Sequence, residues 1–396
     1  MKKFKIDWTN NSIKYSNKEK KYLFKAIDGM TPLTQGKYLD LFQKSFSKYL
    51  GVKHSYAVSN CSNALDMTAV LLDTKSNDEF IVPAHTWCAT PISYLRFGGK
   101  IKWADINPDT LVISIDSIKK LVTKKTKAII VVHLYGLPAN MPEIIKFAKE
   151  KNIAVVEDCA QSLGSTINNK KTGSYGDMSV FSFHSNKLMT TLGEGGMLVI
   201  NNKKYNKNVE ALRHNGVTNF NRKDKSKYWL PAMSNVIKPN KDFWPYNFCL
   251  GEPQCATGLI VLKRLDKLNQ SRIKRAKQFI QFLKNYKELT FQKNPTGYKN
   301  VYHCLVARFK SNNTKKRNFF INLISKKYKI KVIVQNCPLD RYELFRNTEK
   351  QELTNSNNFF DNMVSWPFYT YMSEREFNYM MLSTKKAIEE TRKKFS

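Results

Sequence analysis

Histidine is scarce in this chain and cysteine is unpaired. The six histidines are scattered, with no HExxH or similar cluster. The seven cysteines, Cys61, Cys88, Cys159, Cys249, Cys255, Cys304 and Cys337, are odd in number and never spaced CxxC. A zinc ribbon, a disulfide framework and a bound metal are therefore not expected. Long apolar runs are missing too. No window approaches the roughly 18 apolar residues of a membrane span, and the opening MKKFKIDWTN has no apolar stretch behind it to act as a secretory signal. The expected address is cytoplasmic, with no membrane partner. No internal repeat or low-complexity segment stands out. Acidic residues are few, 32 against 66 lysines and arginines, which leaves a net charge of +34. Such an excess can serve nucleic acid, an anionic membrane or an anionic small substrate. Here the lysines spread along presumed helix faces, as in KRLDKLNQSRIKRAK (263–277) and KKAIEETRKK (385–394). Lysine rises together with Asn, Ile, Phe and Tyr, which share AT-rich codons. With no zinc finger, RNP motif or glycine-rich RNA loop, the charge reads as solvated surface, and no nucleic-acid partner is expected.

What the chain does have is apolar material in ordered alternation. Apolar residues make up 42% of 396, enough for a sizeable core. KYLDLFQKSFSKYL (37–50) has helical spacing. Strands are predicted at 54–60, 79–84, 100–106, 128–136, 153–158, 178–183 and 196–201. Helices fall between them at 62–72, over TPISYLRFG and at 141–152, and Ser62 is the predicted cap of the first of these. This alternation predicts an α/β fold, a mainly parallel central sheet with helices on both faces. After about residue 202 the pattern changes to a basic, loop-rich stretch (202–250), a helix at 252–287, strands at 301–309 and 328–334, a helix at 315–327 and one more helix in the tail. The expected division is a large α/β domain with an N-terminal lead-in over 1–250 and a smaller α+β domain over 251–396.

Ligands bind such sheets beyond the carboxyl ends of the strands. Asp158 ends the strand IAVVED there, partly desolvated and in need of a cationic or proton-donating partner. A helix cap or a surface ion pair is the plainer reading of a lone aspartate. Lys187 follows the buried run SVFSF and precedes Gly-Glu-Gly-Gly, where apolar and cationic surroundings make an amine a usable nucleophile. Any one of so many lysines, taken alone, is more simply a solvated charge. Together, an Asp-x-x-Gln at a strand end and a lysine 29 positions later are what pyridoxal phosphate requires: an amine to bind its aldehyde and an acid beside its ring nitrogen. Asn60-Cys61-Ser62-Asn63 lies at a strand-to-helix junction suited to a phosphate, and Trp87 in PAHTWCATP (83–91) offers an aromatic face.

Four segments carry a resemblance: VVHLYGLPANM (131–141), VVEDCAQSLGS (155–165), GSYGDMSVFSFHSNKLMTTLGEGGMLV (173–199) and PYNFCLGEPQCATGLIVLKRLDKL (245–268). In them the chain resembles the sugar aminotransferases of the DegT/DnrJ/EryC1/StrS family, fold-type-I pyridoxal phosphate enzymes, over nearly its whole length. The resemblance implies that Lys187 is the Schiff-base lysine, Asp158 the partner of the ring nitrogen, and Gln161 the neighbour of the ring edge or hydroxyl. It implies Trp87 stacked on the ring and Ser182, Cys61 and Ser62 around the phosphate. It also implies that Asn247 reaches the cofactor phosphate of a partner subunit, which makes the protein a homodimer with shared sites. The implied reaction moves an amino group from glutamate to a nucleotide-linked 3- or 4-keto-6-deoxy sugar, for surface polysaccharide or glycan biosynthesis.

This chain departs from the family at several positions. Cys61-Ser62 stands where Gly-Thr is usual; a cysteine fits there if its φ stays negative. Tyr246-Asn247-Phe248-Cys249 lacks a familiar arginine. Relatives with histidine in place of the lysine are sugar dehydratases, the alternative function; Lys187 favours transamination. His184, three residues earlier, is expected either on the substrate side or in packing. His133 is expected to be structural or near the cofactor.

Overall fold

The computed structural model describes residues 4–8, 14–29, 32–218, 236–310 and 314–395. Residues 219–235 of the basic stretch expected at 202–250 lie outside the described residues. Helices α1 (Asn17–Asp28) and α2 (Lys37–Leu50) come first. Strands and helices then alternate: β1 (His54–Val58), α3 (Cys61–Leu71), β2 (Glu79–Pro83), α4 (Ala89–Leu95), β3 (Lys100–Ala104), α5 (Ile115–Leu121), β4 (Thr126–Val132), α6 (Met141–Glu150) and β5 (Ala154–Asp158). Next come the short β6 (Thr166–Ile167) and β7 (Lys170–Lys171), then β8 (Met178–Ser182), β9 (Gly196–Ile200) and α7 (Val209–Arg213). The long α8 (Glu252–Phe282) leads to β10 (Leu289–Phe291), β11 (Tyr298–Lys299), β12 (Leu305–Phe309), α9 (Thr314–Lys326), α10 (Thr354–Asn362), β13 (Met363–Trp366) and α11 (Glu374–Phe395).

The central sheet has seven strands in the order β1-β9-β8-β5-β4-β2-β3. The pairs β2–β3, β2–β4, β4–β5 and β5–β8 are parallel, and β9 runs antiparallel to both its neighbours. Strands buried on both faces read as continuous apolar runs, and β4, with Ala128 to Val132 all buried, is such a strand. The strands predicted in this part all form, but the one expected over 128–136 ends at Val132, because the chain turns there through a 3₁₀ segment, Leu134–Gly136, with Tyr135 at φ +62°. A second, antiparallel sheet of order β10-β12-β13 lies in the C-terminal part.

Two local expectations are corrected. Helix α3 begins at Cys61, and its cap is Asn60, not Ser62. Asn60 is extended (φ −164°), and its Oδ1 accepts the Asn63 N–H at 2.8 Å. Ser62 already has its backbone inside the first turn. The strand predicted over 328–334 does not join a sheet as a strand. It makes single bridges, Ile330 to Ile6 and Ile333 to Ser365, because the short β13 takes the place beside β12.

Helix α8 touches two cores. Its first half sets Cys255, Ala256 and Leu259 against Phe42 and Phe46 of α2. The approach is so close at Gly258 that a Cβ there would lie 2.6 Å from the Phe42 ring. Its second half sets Ala276 and Phe279 against Phe309 and Trp366. At the first of these contacts α8 also closes a polar account. The N-cap of α2 is Gly36, which has no side chain with which to satisfy the free N–H groups of the first turn. The Glu252 carboxylate, 1% exposed, accepts instead from Gly36 N (3.0 Å), Tyr38 N (2.8 Å) and Leu39 N (3.0 Å). It also stands at the positive end of the α2 dipole. Replacing Glu252 by Ala leaves buried donors unpaired, and the expected loss is about 3 kcal/mol of stability, read as a lowered urea midpoint.

Candidate active site

The carboxyl ends of β4, β5 and β8 open with the N-terminus of α3 into one cleft of ≈ 810 Å³. Lys187, Asp158, Gln161, Trp87, Ser182, Cys61 and Ser62 all line it. Asn247 does not line this cleft. It lies exposed on the 236–250 segment, bridged to His214.

Asp158 is the last residue of β5 and is 5% exposed. Its Oδ2 accepts from Thr90 Oγ1 at 2.9 Å and its Oδ1 from Ala160 N at 3.0 Å. It is no surface ion pair, and it can accept one more strong donor from the cleft. Behind it, the neighbouring Glu157 is fully buried and satisfied within the protein. Its oxygens accept from Gly173 N, Tyr175 N and Gly176 N at 2.7–2.8 Å. His133 completes the set. Its Nδ1 accepts from Ala139 N at 3.0 Å, so the proton sits on Nε2, which donates to Glu157 at 3.0 Å. The donor atoms of His133, Glu157 and Cys159 lie within 4.8 Å of one another. Burial and the two flanking carboxylates keep the Cys159 thiol protonated, and His133, hydrogen-bonded through both ring nitrogens, is structural.

Lys187 lies in the loop between β8 and β9. That loop folds back on itself through Phe183 N to Gly195 O and Ser185 N to Gly193 O, both 2.8 Å. The glycines that follow explain its shape. Gly195 has φ +158°, and a Cβ there would strike Thr191 Oγ1. At Gly196 a Cβ would lie 2.6 Å from the Asn60 carbonyl carbon, so β9 runs directly under the start of α3. Lys187 is half-buried, with its N–H on His184 O at 2.9 Å.

Cys61 is the first residue of α3 and is not among the positive-φ residues, so its Cβ brings no backbone strain. Burial above all, and then Asp158, hold its thiol protonated, while the Lys187 ammonium pulls the other way. The two opposite charges of the site therefore both act on this thiol. Gln161 Oε1 accepts the Tyr135 N–H at 2.8 Å, which turns its amide donor away from Tyr135. Trp87, 63% exposed, leaves its ring open. His184 is in the cleft, its Nε2 3.7 Å from Glu194 Oε1, with Nδ1 accepting from Asn186 N.

Sequence reasoning missed the residues that arrive from far along the chain. His303, Cys304, Gln335, Asn336 and, from the N-terminal lead-in, Trp8 all line the same cleft. Burial first, then the cations of Lys187 and Arg272, keep His303 neutral. Burial pushes the Cys304 thiol up to about 11 against the pull of Arg272 and Lys187. A polar residue opening the strand VYHCLVARF was the available hint for His303; nothing marked the others.

Residues 14–384 match the DegT/DnrJ/EryC1/StrS aminotransferase family. Among curated relatives, the GDP-perosamine synthase of Vibrio cholerae is 34% identical over 250 residues, 63% of this chain and 64% of that protein. The match thus spans just under two thirds of that relative. The GDP-4-keto-6-deoxy-D-mannose 3-dehydratase of Escherichia coli O55:H7 is also 34% identical, over 68% of this chain and 72% of its own. Among solved structures, the Helicobacter pylori aminotransferase PseC, involved in pseudoaminic acid biosynthesis, superposes with a TM-score of 0.85 at 24% identity, covering 96% of this chain and 98% of that one. The E. coli GDP-4-keto-6-deoxy-D-mannose-3-dehydratase with bound hydrated PLP gives 0.85 at 25%, covering 96% and 99%.

His85, 1% exposed beneath the cleft, yields a pH prediction. Burial drives its pKa from 6.5 down to about 3, with the Asn336 backbone opposing. The unfolded chain therefore binds a proton that the folded one refuses. Stability is full above pH 6.5 and is lost progressively as the pH falls toward 3. At pH 5 the penalty is about 2 kcal/mol. Urea unfolding of His85→Gln at pH 7 and pH 5 should show a stability difference smaller than that of the unmodified protein by about that amount.

Proposed function

The chain belongs to the DegT/DnrJ/EryC1/StrS aminotransferase family, and on that basis we propose that it is a pyridoxal-phosphate-dependent aminotransferase, moving an amino group from glutamate to the keto carbon of a nucleotide-linked keto-6-deoxy sugar. The observation that carries this reading is the meeting of Lys187 and the buried, incompletely satisfied Asp158 in one cleft beside the start of α3.

The residues fit the cofactor. The first N–H groups of α3 have no partner inside the helix; with the Ser62 and Ser182 hydroxyls they form an anion site. A side chain at position 196 would collide with Asn60 and the Cys61 nitrogen, so glycine there keeps the start of α3 clear. Asp158 would offer its free lone pairs to a protonated ring nitrogen, Gln161 its amide N–H to a ring hydroxyl, and Trp87 a flat face. When bound, pyridoxal phosphate supplies an aldehyde for the Lys187 amine and an electron sink for the carbon that loses its proton. With its amine free, Lys187 would be the general base that takes the amino donor's α-proton and holds it for return. Thr90 and the Ala160 N–H hold the Asp158 carboxylate in place, so the ring proton stays where it is. Asn247, exposed and outside this cleft, would serve the phosphate site of a second copy in a homodimer.

A dehydratase of the same fold is the second reading, since relatives of that activity match at the same identity. Lys187 argues against it. His184, the nearest imidazole to it in sequence, is engaged with Glu194 and Asn186.

Purified protein incubated with pyridoxal phosphate is expected to show the visible absorbance of the lysine-bound cofactor, and borohydride should fix the added mass on the peptide that carries Lys187. Lys187→Ala should lose both, with turnover down about 10³-fold or more. Asp158→Asn should still bind the cofactor but lower kcat by about 10²-fold or more. Glutamate and a panel of nucleotide keto-sugars, read by mass, identify the product: an added amine supports transamination, and a lost hydroxyl supports dehydration. Borohydride labelling of another lysine overturns the assignment.

A further inference from the structure

One wall of the cleft is built by Ile333, Val334, Gln335 and Asn336. Gln335 is engaged at both ends: its Nε2 donates to Ser365 Oγ at 2.8 Å and its Oε1 accepts from the Cys304 thiol at 3.8 Å. Asn336 is engaged on one side only. Its Nδ2 donates to Tyr135 Oη at 3.2 Å, and its Oδ1 has no partner among the described residues. Its backbone is left-handed (φ +50°), a conformation asparagine tolerates better than most residues.

The group that holds Asn336 is itself constrained. Tyr135 is fully buried, has φ +62°, and is pinned at its N–H by Gln161. Left-handed backbone at a buried aromatic persists only where the surroundings over-determine it. The Tyr135 hydroxyl lies 2.7 Å from His85 Nε2. Burial keeps His85 neutral, so one ring nitrogen is bare. Tyr135 Oη shares this short contact with His85 Nε2 and accepts from Asn336 Nδ2. The amide is thereby oriented nitrogen inward and oxygen toward the cleft. Trp8 flanks the same wall. Its indole N–H is committed to Lys331 O at 2.8 Å, which leaves its ring as an apolar surface. A flat apolar face beside a fixed amide oxygen suits a sugar ring, whose C–H face is apolar and whose hydroxyls donate.

We propose that Asn336 is a specificity-determining residue, its amide oxygen accepting a hydrogen bond from a ring hydroxyl of the keto sugar, and that Tyr135 and His85 are the positioning residues that orient it. This rests on the aminotransferase reading above and concerns only its second half. Sites built to pair a substrate hydroxyl discriminate against sugars that lack it, because the buried acceptor is then left dry.

The test uses pyridoxal-phosphate-loaded protein, with the glutamate half-reaction followed by absorbance and the sugar half followed with GDP-4-keto-6-deoxy-D-mannose and its UDP-linked 4-keto-6-deoxyglucose counterpart. Asn336→Leu should raise the KM for the accepted sugar about tenfold, the worth of one well-placed hydrogen bond. The glutamate half-reaction should stay close to that of the unmodified enzyme, while the thermal midpoint should fall by about a few degrees, because leucine is strained at the left-handed backbone of position 336. Tyr135→Phe, which frees the amide to turn, should raise the same KM by a smaller factor; a purely structural role would move the midpoint and leave the KM alone. An unchanged sugar KM in Asn336→Leu overturns the proposal, as does an equal effect on the glutamate half-reaction, or unmodified enzyme that completes that half-reaction and binds neither sugar. Failure of the glutamate half-reaction in unmodified protein overturns the aminotransferase reading itself.

Discussion

Two neighbouring carboxylates at the end of β5 organise this molecule. Successive side chains on a strand point to opposite faces, and the alternation sends Glu157 into the interior and Asp158 to the cleft. Glu157 accepts from three backbone N–H groups and from His133, and so ties the 173–176 turn and the end of β4 to β5. A buried charge with this many donors is affordable only because no donor is missing. Asp158 is the complement: two protein donors, nearly complete burial, and acceptor capacity left over. That remaining capacity faces the cleft. The first acid fixes the frame within which the second can stay incomplete.

The other parts of the cofactor side hang on that frame. Parallel pairing of β5 with β4 and β8 brings Asp158 level with Val132 and Val180. The loop after β8 can then return over a few residues and deliver Lys187 to the same mouth. Its return depends on Gly195 and Gly196, one for its backbone angle and one for the closeness of β9 to α3. Asn60 caps α3 through the Asn63 N–H, and the N–H groups of Cys61 and Ser62, at the first turn, have no partner inside the helix. Cysteine at position 61 is compatible with this, since what matters there is an ordinary helical φ and a backbone donor.

The legible part of this site lies on regular elements. The strands of the central sheet announce themselves as apolar runs, and Asp158, Ser182 and Lys187 sit at or just beyond their ends, where spacing along the chain maps directly to position. Asn60 was harder to read, because Asn60 and Ser62 both look like caps and only the backbone angle at position 60 decides between them. The segment 328–334 has the composition of a strand, yet β12 pairs with the four-residue β13, which no periodicity could single out. Residues such as Asn336 and Trp8 were out of reach for a different reason. Each stands on irregular backbone, and each meets the cleft only through long-range pairing: the lead-in with 329–331, and 333 with Ser365.

This difference separates the two walls by how they work. The cofactor wall uses rigid strand ends and a helix terminus, and its polar groups are few and fixed by the sheet. The opposite wall is made of loop segments whose polar atoms are aimed by second partners, Gln335 by Ser365 and Cys304, Asn336 by Tyr135 and His85. Selectivity on that side depends on which of those atoms is left unpaired. The large positive charge of the chain cannot provide it. Charges exposed to solvent are screened beyond about 8–10 Å at ordinary ionic strength, and they draw in any anion alike. An oriented acceptor inside a cleft is felt only by a ligand that brings a donor to that point, so an amide oxygen placed as that of Asn336 discriminates where +34 on the surface merely attracts.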